Sequence, residues 1–282
     1  MHTCSTSAHT RPKPPLLRWA GSKRQLLPEL ERYWRAGSFE EYVEPFAGSA
    51  ILFFRLTPKK AILGDLNQEL VETYETLKES FRSVYGRLKE LPVNAETYYR
   101  LRRLRAARLT PIDRAVRFVY LNRFCFNGIF RTNRRGDFNV PYSGRKTGAL
   151  PPFEVFEATA AMLRTARLIP GDFGKVLSRT KKGQFVYLDP PYCKSSRRYR
   201  GEYGPKAFGT RDLARLKSHL LEMDKRGVRF VVSYEDSKNG RSLGCPTWIT
   251  RRVLVRRHVA GFVSSRRRAS ELLISNIVLD KG

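Results

Sequence analysis

The feature that most constrains the fold is an apolar strand that ends abruptly in two prolines. Residues 184–189 read QFVYLD, a short apolar run of the kind that parallel sheets bury on both faces, and Pro190 and Pro191 end it. An earlier strand-like run, residues 41–46 (EYVEPF), breaks into the small residues 47–49. Strands that stop at tight turns favour an open α/β sheet.

The rest of the chain extends this pattern. A second strand, residues 61–64 (AILG), ends at Asp65, and the order strand, small-residue turn, helix, strand, acid predicts a βαβ unit. Over residues 26–34, apolar side chains recur at helical spacing, which predicts a helix: Leu26, Leu27, Leu30, Tyr33 and Trp34. Later strands are expected at 166–173, 184–189 and 229–234, and the last two near Leu254 and at 272–279.

A further helix is expected over residues 210–225. Thr210 would cap it and Gly227 would end it, and four leucines share its inward face: Leu213, Leu216, Leu220 and Leu221.

The middle of the chain has a different residue pattern. Residues 67–108 are helical in pattern and very basic, and residues 111–124 form another helix with Val116, Val119 and Tyr120 spaced for burial. Asn-Gly, Gly-Asp and alternating residues over 127–144 then suggest a hairpin. We therefore expect a disordered tail (1–15), a sheet domain (16–67 and 166–282) and an inserted domain (68–165).

The charge balance points to a polyanionic partner. The chain has 54 Lys and Arg against 26 Asp and Glu, a net charge of +28, and such an excess is typical of proteins that bind nucleic acid. No apolar run is long enough to span a bilayer and no basic amphipathic helix is evident, so we expect no membrane partner. Four scattered cysteines and four histidines give no metal-site spacing, so no metal is expected.

The residues after the buried strand suggest chemistry on an amino group. The carboxylate of Asp189 and the carbonyl of Pro190 can accept both hydrogens of one aromatic amine, and this would turn its lone pair toward an electrophile. Tyr192 offers a flat face for the base that carries the amine. A strand stopped by proline with a surface tyrosine is the alternative.

Two other motifs suggest a small-ligand site. The turn at residues 44–49 (EPFAGS), followed by Asp65, fits a pocket in which an acid binds ribose hydroxyls, although the GxGxxG fingerprint is missing and a nicotinamide cofactor is disfavoured. Glu44 could complement a sulfonium or an amino group, or cap the next helix. Residues 18–23 (RWAGSK) could wrap a ligand, or Trp19 could simply anchor the first helix.

Taken together, WAGSK, EPFAGS, GDLN and DPPY in this order, with an insertion between the last two, resemble the Dam-type (D12 class, α group) DNA adenine-N6 methyltransferases. The resemblance extends to residues 120–142, which look like the recognition hairpin of the family, and to 230–233 and 271–273. It implies a Rossmann-like mixed open sheet with an inserted helical and hairpin DNA-recognition domain. It also implies S-adenosylmethionine as cofactor and double-stranded DNA, with GATC or a related palindrome, as substrate.

The resemblance also assigns residues. Asp189, Pro190 and Tyr192 would be catalytic, and the cofactor would be bound by Trp19, Lys23, Phe46, Gly48, Asp65, Asp172 and Asp189. Trp19 and Lys23 would hold the methionine end, Asp65 the ribose, and Asp172 with Phe173 would flank the adenine.

DNA would be bound by Arg18, Phe126, Asn127, Arg131, Arg134 and Arg135. Phe126 would fill the gap left by a flipped adenine, or it could belong to the hairpin core. Arg131 could read guanine, and Asn127 could read a base or serve only as a turn residue. Phosphate contacts are further expected from Arg145, Lys146, the arginines at 197, 198 and 200, and Arg266 to Arg268, and the loop 193–209 is expected to close over the flipped base.

Two positions depart from the pattern of the family. Ser22 and Ala50 stand where glycines are usual, and we expect Ala50 to adopt a right-handed backbone. A monomer that acts on DNA in the cytoplasm, at the nucleoid, is expected, either solitary or in a restriction–modification pair. RNA adenine methylation, cytosine N4 methylation and a non-catalytic DNA-binding module are the alternatives.

Overall fold

A computed structural model describes residues 15–19, 23–133, 136–144, 148–193, 208–256 and 268–279. Apart from Pro15, the predicted N-terminal tail lies outside the described residues. The same holds for Arg134, Arg135, most of the loop after Tyr192 and, except for the backbone of Arg268, the other predicted phosphate-binding clusters.

The centre of the fold is a seven-stranded sheet of order β3-β2-β1-β4-β5-β7-β6. Its strands are Glu41–Glu44 (β1), Ala61–Asp65 (β2), Ala166–Pro170 (β3), Gln184–Leu188 (β4), Arg229–Glu235 (β5), Ile249–Arg256 (β6) and Arg268–Ser275 (β7). All neighbouring pairs from β3 to β5 are parallel, and β7 runs antiparallel to both β5 and β6. The predicted mixed open α/β sheet is therefore confirmed.

Strand β1 lies between β2 and β4, which places the reversal of strand order beside it. Tyr42 is paired with Ala61 on one side and with Phe185 on the other, so β1 and β4 end next to each other. Open α/β sheets bind ligands at the carboxyl ends of their strands at this kind of reversal. The turn after β1 and the prolines after β4 thus share one edge of the sheet.

Three of the helices match those expected over residues 26–34, 111–124 and 210–225, whereas the helices after residues 152, 172 and 237 were not predicted. They are Leu27–Arg35 (α1), Ile51–Leu56 (α2), Gln68–Glu90 (α3), Ala95–Arg103 (α4), Pro111–Phe124 (α5), Phe153–Leu163 (α6), Phe173–Leu177 (α7), Thr210–Lys225 (α8) and Lys238–Ser242 (α9). Helix α5 has the predicted bounds because Thr110 caps it, accepting from the Asp113 N–H, and Pro111 occupies its first turn.

Three local predictions were wrong in detail. The strand expected at 166–173 ends at Pro170, since Asp172 caps helix α7 and Phe173 begins it. Helix α8 is preceded by Gly209, whose N–H donates to Asp212, so Thr210 is its first residue and not its cap. Leu221 is exposed, because the buried stripe of α8 passes through Met223 instead.

All seven strands of the sheet come from outside residues 68–165. Within that range, α3 packs against α5 and α6, and isolated antiparallel bridges join Cys125 to Tyr142 and Thr132 to Phe138. The described part of this hairpin therefore carries two short bridges in place of a regular ladder. One buried cluster runs without a break from Tyr42 and Leu63 of the sheet to Phe156. The division into domains stays a prediction.

Candidate active site at the carboxyl ends of the strands

A cavity of about 840 Å³ opens at the carboxyl ends of β1, β2 and β4. Its volume is in the range of small-molecule sites. All of the residues predicted to be catalytic or to bind the cofactor line it: Trp19, Lys23, Phe46, Gly48, Asp65, Asp172, Asp189, Pro190 and Tyr192.

Gly48 shapes the turn after β1. Its φ of +49° is left-handed, and an added Cβ would stand 2.8 Å from Nε1 of Trp19, so both the backbone and the indole require glycine here. The Tyr74 hydroxyl donates to the Gly48 carbonyl (2.8 Å). The turn is thereby held open beside the cavity, and Tyr74 is a supporting residue that the sequence did not reveal.

Ala50 does not have the expected right-handed backbone. Its φ of 48° and ψ of 36° are left-handed, and its N–H closes the turn on the Ala47 carbonyl at 2.6 Å. A left-handed conformation costs a residue with a Cβ about 1–2 kcal/mol. The chain tolerates this strain at a fully buried position, and the resembled family usually has glycine there.

Asp65 stands at the end of β2 and organises the floor of the cavity. Its two carboxylate oxygens accept the N–H groups of Gly48 (2.9 Å) and Asn67 (2.8 Å). Burial raises the pKa of Asp65, and the two N–H donors oppose that rise. Each carboxylate oxygen retains a second lone pair, which suits the recognition of a hydroxyl pair.

Aromatic rings form an apolar slot at one side of the cavity. The centroid of Phe46 lies 5.3 Å from that of Phe173 and 6.1 Å from that of Phe208. Asp172 accepts the Gly174 N–H and forms an ion pair with Arg215. Its role is therefore to begin helix α7, which in turn positions Phe173 in the slot.

A buried polar cluster forms the opposite wall. Nζ of Lys23, a residue only 8% exposed, lies 3.1 Å from Oδ1 of Asp189 and 3.5 Å from Oε2 of Glu271. It also donates to the Tyr192 hydroxyl (2.8 Å), which itself donates to Oε1 of Glu271 (2.9 Å). The Lys23 ammonium thus joins three parts of the chain: the first helical region, the loop after β4 and strand β7.

The cluster fixes the charge of Lys23. Burial by itself would lower the pKa of the ammonium, but Asp189, Tyr192 and Glu271 outweigh it and raise the pKa above the ordinary value. Burial likewise raises the pKa of Asp189, and the adjacent ammonium opposes that rise. The pair is therefore a cation beside a carboxylate, with the ammonium directed at the carboxylate.

Two residues behind Asp189 were missed by the sequence analysis as members of the site. Ser233 Oγ donates to Oδ1 of Asp189 (3.1 Å), and the Tyr187 hydroxyl lies 3.0 Å from the same Oγ. Because Ser233 donates toward the carboxylate, Tyr187 supplies the other hydrogen of this chain. Tyr187 lies on β4 and Ser233 on β5, and only their parallel pairing brings them together.

Glu44 also lines the cavity, but it does not cap the next helix. Helix α2 begins after Ala50 without a side-chain cap, while Glu44 is 3% exposed and accepts the Tyr42 hydroxyl (2.9 Å). Burial raises the pKa of Glu44 well above its ordinary value, and Asp189 and Asp65 add to that rise. The cap interpretation was wrong, and Glu44 is a buried carboxyl at the cavity wall.

The hairpin reaches the cavity through stacked rings. Trp19 lies parallel to Phe130, with their centroids 6.0 Å apart, and Phe130 and Thr132 line the cavity. Trp19 therefore joins the turn after β1 to the hairpin, a role beyond anchoring the first helix.

The predicted DNA-binding residues occupy different environments. Phe126 is 46% exposed, so it is not part of the hairpin core. Asn127 has a φ of +55° and forms a turn with Gly128, which supports its turn role. Arg18 donates to the Arg123 carbonyl (3.1 Å). Nε of Arg131 donates to Oδ1 of Asn139 at 2.8 Å.

The described part of the chain lacks two further kinds of feature. It holds no group of three His, Cys, Asp or Glu residues arranged for a metal ion. Within the same ranges, no helix has the length and apolar character needed to cross a membrane.

Comparison with known proteins gives a consistent result. Residues 19–245 match the family described as D12 class N6 adenine-specific DNA methyltransferase. The chain is 30% identical over 271 residues to the type II methyltransferase M1.LlaDCHI of Lactococcus lactis subsp. cremoris, covering 93% of this chain and 95% of that protein. It is 30% identical over 266 residues to the DNA adenine methylase of Escherichia coli (strain K12), covering 91% and 93%. It is also 30% identical over 240 residues to the type II methyltransferase M.MjaIII of Methanocaldococcus jannaschii, covering 78% and 83%.

Proposed function

The chain belongs to the D12 class of N6 adenine-specific DNA methyltransferases, and we propose that it takes S-adenosylmethionine as methyl donor and an adenine flipped out of duplex DNA as acceptor. Its activity is DNA adenine-N6 methylation. The proposal concerns the donor, the duplex and the residues that act on them.

The cavity fits the proposed donor. The slot of Phe46 and Phe173 is suited to a purine ring, the carboxylate of Asp65 to ribose hydroxyls, and the open turn at Gly48 to close approach of the backbone. When bound, S-adenosylmethionine supplies an electrophilic methyl group. Trp19 would close the turn over it, and whether Lys23 also pairs with its carboxylate stays a prediction.

The observation that carries the proposal is the way in which Asp189 is held at the cavity wall. Lys23 and Ser233 both contact Oδ1, and this leaves Oδ2 and the Pro190 carbonyl as acceptors for the two hydrogens of an adenine amine. Two such hydrogen bonds localise the nitrogen lone pair for attack, and the carboxylate can take the proton that the methylated nitrogen releases. Tyr192 would stack on the base while Lys23 and Glu271 fix its hydroxyl.

On the DNA side, the exposure of Phe126 supports its proposed insertion into the base stack. The ring is half exposed beside the Asn127–Gly128 turn, where it can fill the gap left by the flipped adenine, an operation that costs a few kcal/mol. Arg18 and Arg131 would contact the duplex, and Arg131 is the candidate reader of guanine. The target sequence, GATC or a related palindrome, stays a prediction, as do action as a monomer and a cytoplasmic location at the nucleoid.

The test is transfer of labelled methyl from S-adenosylmethionine to unmethylated duplex DNA by wild type, Asp189→Asn and Glu79→Gln. We expect label as N6-methyladenine from wild type and from the control, in which an exposed carboxylate of α3 is removed. Asp189→Asn should lower kcat by roughly 10²-fold or more, since it loses a charged acceptor that acts on the reacting amine. An unchanged rate in Asp189→Asn would remove this residue from the mechanism.

The same assay separates the alternative substrates. Label in RNA in preference to duplex DNA would overturn the duplex assignment. Label recovered as N4-methylcytosine would overturn the adenine acceptor. Mapping the labelled positions in the DNA would then give the recognition sequence.

A further inference from the structure

Positive charge is concentrated on and just after helix α4. Arg100, Arg103, Arg105 and Arg108, which we call the α4 arginine surface, are all exposed. None of the four forms a salt bridge with a carboxylate in the described part of the chain. Four like charges within nine positions repel one another, so they need a counter-charge from elsewhere.

Most arginines of the two neighbouring helices are neutralised within the protein; the exception is Arg123 of α5, which donates to the carbonyls of Leu16 and Ala149. On α3 and α5 the other four form ion pairs with acidic partners: Arg82 with Glu157, Arg87 with Asp113, Arg114 with Glu72, and Arg117 with Glu69. The α4 arginine surface therefore differs from these four paired arginines in being an exposed group of like charges without carboxylate partners.

The structure fixes this surface beside the DNA-facing parts of the molecule. The Tyr98 hydroxyl (3.0 Å) and the Arg102 guanidinium (3.2 Å) both donate to the Val140 carbonyl, which ties α4 to the hairpin. Nε of Arg117 donates to the carbonyl of Leu101 near the end of α4.

Arg117 also contacts a residue that lines the cavity. Its NH1 pairs with Glu69 at 3.1 Å, and Glu69 lines the cavity. The end of α4 is thus braced against both the hairpin and the rim of the active site.

We propose that the α4 arginine surface binds phosphates of the duplex outside the target site and adds sequence-independent affinity. The inference rests on the proposed duplex substrate. Guanidinium groups match phosphate oxygens in geometry and charge, and contacts of this kind set the position of a protein on DNA without reading its sequence. The substrate itself supplies the counter-charge that the protein lacks at this surface.

The experiment measures methyl transfer to unmethylated bacterial genomic DNA at several salt concentrations. It compares wild type with the triple variant Arg103→Gln, Arg105→Gln, Arg108→Gln. We expect KM for DNA to rise about tenfold while kcat stays within about twofold, because these groups touch phosphates and not the reacting atoms. Each lost contact should also flatten the log–log salt dependence of kcat/KM by about 0.9.

A matched control removes three charges from the opposite edge of the sheet. Lys59→Gln, Lys60→Gln, Lys182→Gln changes exposed residues just before β2 and β4, at the amino ends of those strands. Its KM and salt slope should equal those of wild type. An equal effect of both triple variants would mean that overall charge is responsible and would overturn the proposal.

The remaining outcomes are also decisive. A KM unchanged in the arginine variant, or a loss of kcat at constant KM, would overturn the proposed phosphate-binding role of the α4 arginine surface. Either result would leave the proposed function standing. If wild type transfers no methyl to duplex DNA, the proposed function fails instead. The variants are then compared with wild type by fluorescence anisotropy on a labelled mixed-sequence duplex. Equal affinities of the arginine variant and wild type for this duplex would overturn the phosphate-binding role as well.

Discussion

Two carboxyl groups on the cavity wall, Glu44, which is buried, and Asp189, which is partly buried, have neighbours with opposite effects on their charge. Asp189 lies 3.1 Å from the Lys23 ammonium and accepts the Ser233 hydroxyl, whereas Glu44 accepts the neutral phenol of Tyr42. A nearby cation favours the ionised form of a carboxyl, and burial without one favours the protonated form. The site therefore combines one carboxyl whose ionised form is favoured by a cation with another, beside the turn after β1, whose protonated form is favoured by burial.

The state of Glu44 has a measurable consequence for stability. Because burial raises its pKa well above 4.5, the folded protein keeps a proton that the unfolded chain loses as pH rises through 4.5. Stability contributed by this proton is present below that pH and falls, by up to about 1.4 kcal/mol per pH unit, until the folded pKa is reached. Glu44→Gln removes this loss, so the variant should gain stability relative to wild type as pH rises from about 4 into the neutral range.

Urea denaturation of both proteins across that pH range checks the prediction. Glu79→Gln, at an exposed position of α3, serves as the control and should follow the wild-type curve. Parallel curves for Glu44→Gln and wild type would show that Glu44 is ionised in the folded state.

Gly48 offers a second prediction at this scale. In Gly48→Ala, the left-handed φ of +49° and the approach of the new Cβ to within 2.8 Å of Trp19 Nε1 should together cost about 2 kcal/mol or more. The turn would also shift, so affinity for S-adenosylmethionine should fall. Denaturation and calorimetric titration measure the two effects.

Gly86→Ala is the matched control for this substitution. Gly86 lies inside α3, and a Cβ there meets nothing within 4 Å. It should stabilise the protein by about 0.5–1 kcal/mol, as expected for alanine in place of glycine in a helix. A Gly48→Ala protein as stable as wild type would show that the turn is not confined by Trp19.

Sequence reasoning identified residue types at the site better than their contacts. Lys23 and Asp189 were both singled out, but their mutual contact was not, because it depends on β7 bringing Glu271 beside Tyr192 from 79 positions away. The backbone of Ala50 was misjudged because glycine-like conformations leave no signal when another residue occupies the position. Contacts between side chains that are distant in the sequence cannot be predicted from one sequence alone.

At the scale of elements, the parallel strands at the centre of the sheet were predictable. Strands β1, β2, β4 and β5 were found close to their true bounds, and in β2 and β4 burial on both faces leaves an almost continuous apolar run. The position of β7 between β5 and β6 could not be predicted, since antiparallel insertion depends on long-range pairing. Helices α1, α5 and α8 were predicted from their apolar stripes, whereas the short helix α7 was missed although Asp172 caps it.

Helix α4 illustrates how much one cap contributes. Asn94 Oδ1 accepts the Thr97 N–H at 2.8 Å, and the helix it begins has only nine residues. Asn94→Ala should destabilise the protein by about 1 kcal/mol, whereas Asn94→Ser retains a capping oxygen and should lose much less. Denaturant unfolding compares the three proteins. Equal losses in both variants would mean that contacts of Asn94 other than the cap are responsible.

At the scale of the whole molecule, the chain combines a family-like order of parts with a large excess of positive charge. The turn after β1, the inserted helices and the strand before Asp189 follow one another as in the α group that the sequence resembles, and the cavity lies where strand order reverses. The net charge of +28 is not needed to form this sheet, since net charge governs association and solubility more than fold. It therefore acts on stability and on DNA binding in opposite directions.

Salt should consequently stabilise the protein while weakening its hold on DNA. Self-repulsion of the excess positive charge destabilises the compact state, and the screening length falls from about 30 Å at 0.01 M to about 8 Å at 0.15 M salt. The Tm of the free protein should therefore rise over this range. Affinity for duplex DNA should fall steeply, because the release of counterions from DNA is less favourable at higher salt. Calorimetry and fluorescence anisotropy in the same buffers measure both. A Tm that falls with salt would instead show that ion pairs such as Arg117–Glu69 and Arg55–Glu31 outweigh the repulsion, because screening weakens attraction and repulsion alike.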